Sequence, residues 1–245
     1  MIRVFFFDFN QTLVQCPQWM DLEIRTFPRA ALLALADQGL IEPPSQADVR
    51  RAEATFRARR RAADRSGRES SHLQDLKAIL GALSRRDSVP DPQLQATIEG
   101  LHRACLPFVR PMAGALQAVP ALHHQGYRLG IVSNAAFSPF IDWALDQLGL
   151  FDLFEDILVS ADVGIRKPRR EMFQLALQRM GVAAHEAAHV GDDLEKDVHT
   201  AKRLGMRAIW LRPDRDAAAP DQALPPDAIV TSLEVVPAWA TAQRE

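Results

Sequence analysis

The sequence predicts an α/β fold, a Rossmann-like, doubly wound parallel sheet with an inserted all-helical cap domain. From about Pro111 onward, short runs rich in Val, Ile and Leu alternate with helical patterns that close on glycine, the rhythm of βαβ units. Those runs are continuously apolar, as strands buried on both faces are, and do not alternate as half-exposed strands do. Between Gln18 and Phe108 the rhythm stops and only helical repeats remain.

Taken in order, Ile2 to Phe7 is the first strand. The run is short, is broken by Asp8 and lacks a small-residue cleavage site, so it reads as a buried strand and not as a signal peptide. No stretch is long enough to span a membrane. Inside the insert, Ser45 with Asp48 marks one helix start, and Asp91-Pro92 marks another before the pattern Leu94, Ile98, Leu101 and Cys105. The chain returns near Arg110-Pro111. YRLGIVSN is then a strand, followed by a helix from Phe137 to Gly149; EDILVS precedes a helix from Glu171 to Gly181; AAHVGD precedes one from Leu194 to Gly205; RAIWLR is a further strand. Gly126, Gly149, Gly181 and Gly205 stand where a left-handed residue releases a helix into the next strand. Arg212 to Pro226, rich in Asp, Ala and Pro, reads as a surface loop before a short strand from Ala228 to Thr231. Residues 1–17 and 109–245 thus form the core, and 18–108 the helical insert.

The 245 residues, 47% hydrophobic and 24% charged, suffice for one sizeable core plus an extra module. A formal net charge of −2 gives no global reason to expect nucleic acid or an anionic membrane as partner. Cys16 and Cys105 form no disulfide framework and have no zinc-like spacing, which fits a reducing, cytoplasmic setting. The arginine-rich run from Arg50 to Arg68 is interspersed with Glu53, Asp64 and Glu69. It reads as a solvated helix face, with one or two arginines free to reach an anion from the insert. Oligomeric state leaves no trace in the sequence.

The chemistry gathers at the ends of the expected strands, where open α/β sheets place their ligands. Asp8 closes the first strand, and Thr12 can offer a hydroxyl to an anion or orient the aspartate. Ser133-Asn134 follows GIV, Lys167 stands in VGIRKPRREMF, and Asp192, Asp193 and Asp197 crowd HVGDDLEKDV. Singly, each has a plain explanation: a turn-capping Asp8, a helix-capping Ser133, a solvated Lys167, an Asp197 in a helical charge pair. In this order, all at strand ends, they suit one anionic, metal-bound substrate.

These four segments resemble the motifs of the haloacid dehalogenase superfamily, in the branch with a helical cap after the first motif: FFFDFNQTL the first, IVSN the second, RKP the third and VGDDLEKD the fourth. The resemblance covers almost the whole chain. It implies a magnesium-dependent hydrolase of a small phosphorylated metabolite, acting through an aspartyl-phosphate on Asp8. Mg²⁺ would be held by Asp8, Asp192 and the backbone carbonyl of Asn10, with Asp193 and Asp197 coordinating it or holding its waters. Lys167, Ser133 and Asn134 would bind the phosphoryl group, and the cap would close the site and select the substrate.

One departure bears on turnover. Most phosphatases of the superfamily have a second aspartate two residues after the nucleophile; here that position is Asn10, and Gln11 replaces the glycine usually found next. An amide cannot carry a proton, and losing a positioned acid/base costs ~10²- to 10⁴-fold in rate. A slow or specialised hydrolase, a substitution that traps substrate and a phosphate-binding protein without turnover are the readings left open. A dehalogenase also lacks the second aspartate, but needs no metal, whereas Asp192, Asp193 and Asp197 together are costly without a cation. A non-catalytic interaction domain is weighed against by Asp8, Lys167 and Asp192 all being kept. His185 and His189 read as packing residues, and Trp19, near the hinge at Pro17, could line a cap-to-core cleft.

Overall fold

The structure, a computed structural model, describes residues 1–84, 89–212 and 224–243. Its strands are β1 (Val4–Phe7), β2 (Val14–Gln15), β3 (Arg110–Pro111), β4 (Arg128–Ser133), β5 (Asp156–Val159), β6 (Ala187–Gly191), β7 (Arg207–Leu211) and β8 (Ala228–Val230). Six form one parallel sheet in the order β5-β4-β1-β6-β7-β8, and β2 pairs with β3 antiparallel. β1 therefore lies inside the sheet, between β4 and β6. The pair β2–β3 is the neck through which the chain leaves the sheet and returns.

Between β2 and β3 the described residues form α1 (Pro17–Asp21), α2 (Phe27–Asp37), α3 (Gln46–Ser66), α4 (His72–Ala82) and α5 (Asp91–Arg103), with a π-helical turn at Leu22–Thr26 and a 3₁₀ turn at Leu106–Phe108. No strand lies among them; a single isolated bridge joins Arg68 to Ile165. The two expected helix starts are present. The Ser45 hydroxyl accepts from the Asp48 N–H while the Asp48 carboxylate accepts from the Ser45 N–H, a full capping box, and Pro92 stands in the first turn of α5.

The remaining helices are α6 (Ala115–His124), α7 (Pro139–Gln147), α8 (Ser160–Val163), α9 (Arg170–Arg179), α10 (Thr200–Arg203) and α11 (Val236–Ala242). Alternation along β1 divides the core. Val4 and Phe6 pack with Met172, Phe173, Ala176, Val198 and Ala201 on one face of the sheet. Phe5 and Phe7 face the other side with Val119, Leu122, Ile141 and Val236. That second cluster continues into the insert through Trp19, Phe27, Phe56, Leu76 and Ile98. Both faces of the sheet are thus covered, which is why its strands carry almost nothing polar until their ends.

The expected helix-terminal glycines at 126, 149, 181 and 205 all take positive φ, from 59° to 84°. One local expectation is corrected: the run from Leu194 is not a regular helix but a π-helical turn, Leu194–His199, that passes into α10. Asp193 causes this by accepting the Glu195 and Lys196 N–H groups on its side chain and those of Asp197 and Val198 on its carbonyl. Of the loop expected from Arg212 to Pro226, residues 213–223 lie outside the described residues. No helix of the described residues is long and apolar enough to cross a membrane.

The capping box gives a measurable contribution. Ser45→Ala is expected to lower equilibrium stability to urea by ~1 kcal/mol, the usual cost of removing such a cap.

Candidate active site

Because β4 and β6 flank β1, parallel strands bring three loops to one edge of the sheet: Asp8 after β1, Ser133 and Asn134 at the end of β4, and Asp192 after β6. A cavity of about 260 Å³ opens there. Its sheet side carries Asp8, Asn10, Gln11, Ser133, Asn134, Arg166, Lys167, Asp192, Asp193, Lys196 and Asp197, and its other wall comes from the insert, with Trp19, Met20, Glu23, Ile24 and Arg60. Every expected site residue except Thr12 lines it. Thr12 is fully buried, and among the described residues its hydroxyl has no hydrogen-bond partner.

Lys167 is the centre of the arrangement. Its ammonium donates to Asp8 Oδ1 at 2.6 Å and to Asp197 Oδ1 at 2.7 Å, and its side chain is 2% exposed. Burial opposes the ammonium, yet Asp197 and Asp8 outweigh it and hold the pKa well above the ordinary lysine value. The two carboxylates share that charge unequally. Burial would raise Asp197, but Lys167 and the His189 hydrogen bond at 3.0 Å overcome it and hold the carboxyl well below its ordinary range. Asp8 is pushed up, by burial first and then by Asp197 and Asp192, despite the ion pair to Lys167.

The neighbouring groups sort by what they touch. Asn134 is committed to the backbone of Lys167, accepting its N–H at 2.8 Å and donating to its carbonyl at 2.9 Å. Asp193 caps the π-helical turn and pairs with Lys196. Asp197 is saturated, since Oδ1 takes Lys167 and His189 while Oδ2 takes the Asp193 N–H at 3.1 Å. Gly191 makes this possible: a Cβ there would stand 2.4 Å from Asp197 Cγ. Asp192 differs, for among the described residues its carboxylate has no ion-pair partner, and Trp210 Nε1 holds its carbonyl at 2.8 Å. Burial, with Asp197 next, raises its pKa to about 6.

Oxygens of Asp8, Asp192 and Asp197 lie within 4.8 Å of one another. One lysine and a His189 that burial keeps neutral face three carboxylates, so the negative charge is under-compensated. Such a set of hard oxygen donors fits a divalent cation of the magnesium or calcium type, and a cation beside Asp8 and Asp192 would reverse the upward shift of both.

A protein-family comparison decides the class, because the haloacid dehalogenase-like hydrolase model matches residues 2–205. The chain belongs to that family. Among known proteins it is similar to a glyceraldehyde 3-phosphate phosphatase of Methanocaldococcus jannaschii, 29% identical over 214 residues that cover 86% of this chain and 85% of the relative. Among solved structures it resembles a 2-haloacid dehalogenase from Pseudomonas syringae pv. Tomato, with a TM-score of 0.72, 26% identity and coverage of 99% of this chain and 100% of that one. A HAD phosphatase from Thermococcus onnurineus shares the fold, with a TM-score of 0.63 and 22% identity over 98% of each chain.

Several lining residues of this family member were not legible as such in the sequence. Glu23, Met20 and Ile24 sit in or beside the π-helical turn after α1, where a short helical stretch gave no chemical signal. Arg166, beside Lys167, reaches Asp64 at 3.2 Å and Glu69 at 3.6 Å. Of the arginine-rich run, Arg60 is the one that lines the cavity; it pairs with Glu69 at 2.9 Å. Trp19, for which packing at a domain junction was explanation enough, is buried and stacked on Phe140 with centroids 4.7 Å apart, and it also borders the cavity. His189 is a packing residue against Phe173 that also donates to Asp197.

The shared lysine makes a stability prediction. Lys167→Met leaves Asp8 and Asp197 buried together without a cation, at a cost on the order of 3–5 kcal/mol at pH 8. Carboxyl groups whose pKa is raised lose their stabilising contribution as pH rises through the folded value. The gap from wild type should therefore narrow at pH 5, as read from paired denaturation curves without metal; a gap that does not change with pH would show that charge is not its cause.

Proposed function

We propose that the chain is a magnesium-dependent hydrolase of small phosphate monoesters in which Asp8 attacks phosphorus. What carries the reading is Asp192, a half-buried carboxylate beside Asp8 with no ion-pair partner among the described residues, at a cavity where the lysine bound to Asp8 is already shared with Asp197. A phosphate dianion enters such a place only with a cation. The phosphatase named among the relatives supports the substrate class.

On this reading Asp8, Asp192 and the Asn10 carbonyl hold Mg²⁺, while Asp193 and Asp197 act behind them, the first shaping the loop and the second anchoring Lys167. The metal, when bound, neutralises phosphate charge and so lowers the repulsion met by an anionic nucleophile. Asp8 bonds to phosphorus as the ester P–O bond breaks, giving an aspartyl-phosphate that water then cleaves. Lys167 and Ser133 offer donors to the equatorial oxygens, and Asn134 fixes Lys167 through its backbone. Residues 18–108 serve as the cap over a core of residues 1–17 and 109–245, in a cytoplasmic enzyme.

The 2-haloacid dehalogenase likeness supports a second reading, in which Asp8 displaces halide from carbon without metal. One experiment separates the two: a panel of phosphate monoesters and 2-haloacids, each with Mg²⁺ and with chelator. Phosphate release that chelator abolishes is expected; halide release indifferent to chelator would overturn the proposal. Asp8→Ala should leave less than roughly a thousandth of the wild-type rate. Asp192→Ala should lose the heat of Mg²⁺ binding in calorimetry while keeping the native circular dichroism.

A further inference from the structure

Asn10 cannot carry a proton, so hydrolysis of an unactivated alkyl ester at this site needs another acid and base. We propose that Glu23, on the insert's wall of the cavity, is that group. The inference rests on the phosphatase reading and adds a residue to it.

Elimination narrows the choice. The carboxyl groups lining the cavity are Asp8, Glu23, Asp192, Asp193 and Asp197. Asp8 is the nucleophile, Asp197 is saturated by Lys167 and His189, Asp193 is spent on its turn and on Lys196, and Asp192 belongs to the cation. Glu23 alone comes from the insert's wall of the cavity, and an in-line displacement by Asp8 sends the alcohol away from the sheet side. The lining cations are engaged elsewhere: Lys167 with Asp8 and Asp197, Lys196 with Asp193, Arg60 with Glu69 and Arg166 with Asp64.

The position of Glu23 is fixed to the core and not only to its own helix. Glu23 Oε2 accepts the Ala136 N–H at 2.9 Å, in the loop that follows Ser133 and Asn134. Among the described residues Oε1 is buried without a hydrogen-bond partner; His102 Nε2 stands 3.9 Å away, too far for a direct hydrogen bond. The groups facing it from each neighbouring element are few. His102 of α5 and His72 of α4 bond to each other at 3.1 Å, and burial holds both below the ordinary histidine range, His102 at about 3. Arg60 of α3 is bound to Glu69, and Asp75 completes that network. Among the described residues no cation forms an ion pair with Glu23, and burial pushes its carboxyl up to about 7, with the Ala136 N–H and Arg60 pulling the other way.

The protons balance over the two steps. As Asp8 bonds to phosphorus and the P–O bond to the alcohol breaks, the Glu23 carboxyl gives its proton to the departing oxygen. Water then attacks the phosphorus of the aspartyl-phosphate and returns a proton to the Glu23 carboxylate. Asp8 is freed, and inorganic phosphate leaves.

The test compares wild type, Glu23→Gln and Glu23→Gln/Asn10→Asp on an alkyl phosphate and on p-nitrophenyl phosphate, whose phenolate departs without protonation. Glutamine keeps a carbonyl for the Ala136 N–H but cannot titrate. Expected for Glu23→Gln is a fall in kcat/KM of roughly 10²-fold on the alkyl ester and little change on the phenyl ester. The descending limb near neutral pH should vanish from the alkyl profile, and the aspartyl-phosphate should accumulate. The double variant should recover alkyl turnover, which also excludes misfolding as the cause. An active wild type whose leaving-group preference and pH profile survive Glu23→Gln overturns this inference and leaves the phosphatase reading standing. Equal losses on both esters that Asn10→Asp does not repair overturn it too. A wild type that releases phosphate from neither ester sinks both.

Discussion

The ammonium of Lys167, buried between Asp8 and Asp197, is the contact on which the site depends. An isolated lysine could not be charged there, nor could either carboxylate; each is admitted by the others. The backbone serves this one contact from three directions. Asn134 clamps the main chain of Lys167 at the end of β4, the π-helical turn after Asp193 returns Asp197 over a residue without a side chain, Gly191, and β1 delivers Asp8 from inside the sheet. Triads of this kind are seldom optimal for stability, because burial costs about as much as the ion pairs return. Their persistence at the rim of a cavity is better understood as the preparation of a field for an incoming anion.

The insert is joined to that field by main-chain contacts. Gly67 O accepts from the Arg166 N–H at 3.1 Å, Glu69 N donates to Gly164 O at 3.1 Å, and His72 N donates to Ala136 O at 2.9 Å. Glu69, buried among them, accepts from Ser160 at 2.9 Å and pairs with Arg60 and Arg166. These contacts flank Lys167 and the loop after Ser133, so the segment from Gly67 to His72 and the two cavity-lining loops form one packed unit. Displacement of the insert would strip buried partners from Glu69 and expose two arginines, which biases the fold toward the docked arrangement.

What was legible in the sequence follows from what is local. β1, β4, β6 and β7 are buried on both faces, and runs made mostly of Phe, Val, Ile, Leu and Ala announce that without any knowledge of neighbours. Asp8, Ser133, Lys167 and Asp192 were legible because each polar group ends such a run or stands in the loop beyond it. Glu23 was not, since its meaning comes from Ala136, 113 positions away, and from a wall that exists only once the insert docks. His189 was misleadingly quiet for a similar reason: period-two alternation places it among apolar neighbours, and only the tight turn after Asp193 brings Asp197 back to it. The π-helical turns escape detection because one extra residue in a single turn barely alters a 3.6-residue pattern.

The segment from Asn10 to Thr12 carries costs that packing alone does not justify. Gln11 has φ of 62°, a left-handed conformation disfavoured for a residue with a side chain by about 1–2 kcal/mol, at the place where the family usually has glycine. On either side, Asn10 Oδ1 and the Thr12 hydroxyl are buried without partners. Relief by a sequence change would be simple, as glycine at position 11 removes the strain and an apolar residue of similar size at position 12 removes an unsatisfied hydroxyl. Strain that accumulates beside Asp8, at the end of a fully buried strand of regular parallel pairing, points to selection on the site and not on stability. Gln11 and Asn10 both line the cavity, so the tight turn that costs stability is also what brings them to its wall. On the proposed reading, Asn10 at the position of the family's usual aspartate is one part of a remodelled loop, and Glu23 on the facing wall supplies the proton that an amide cannot carry.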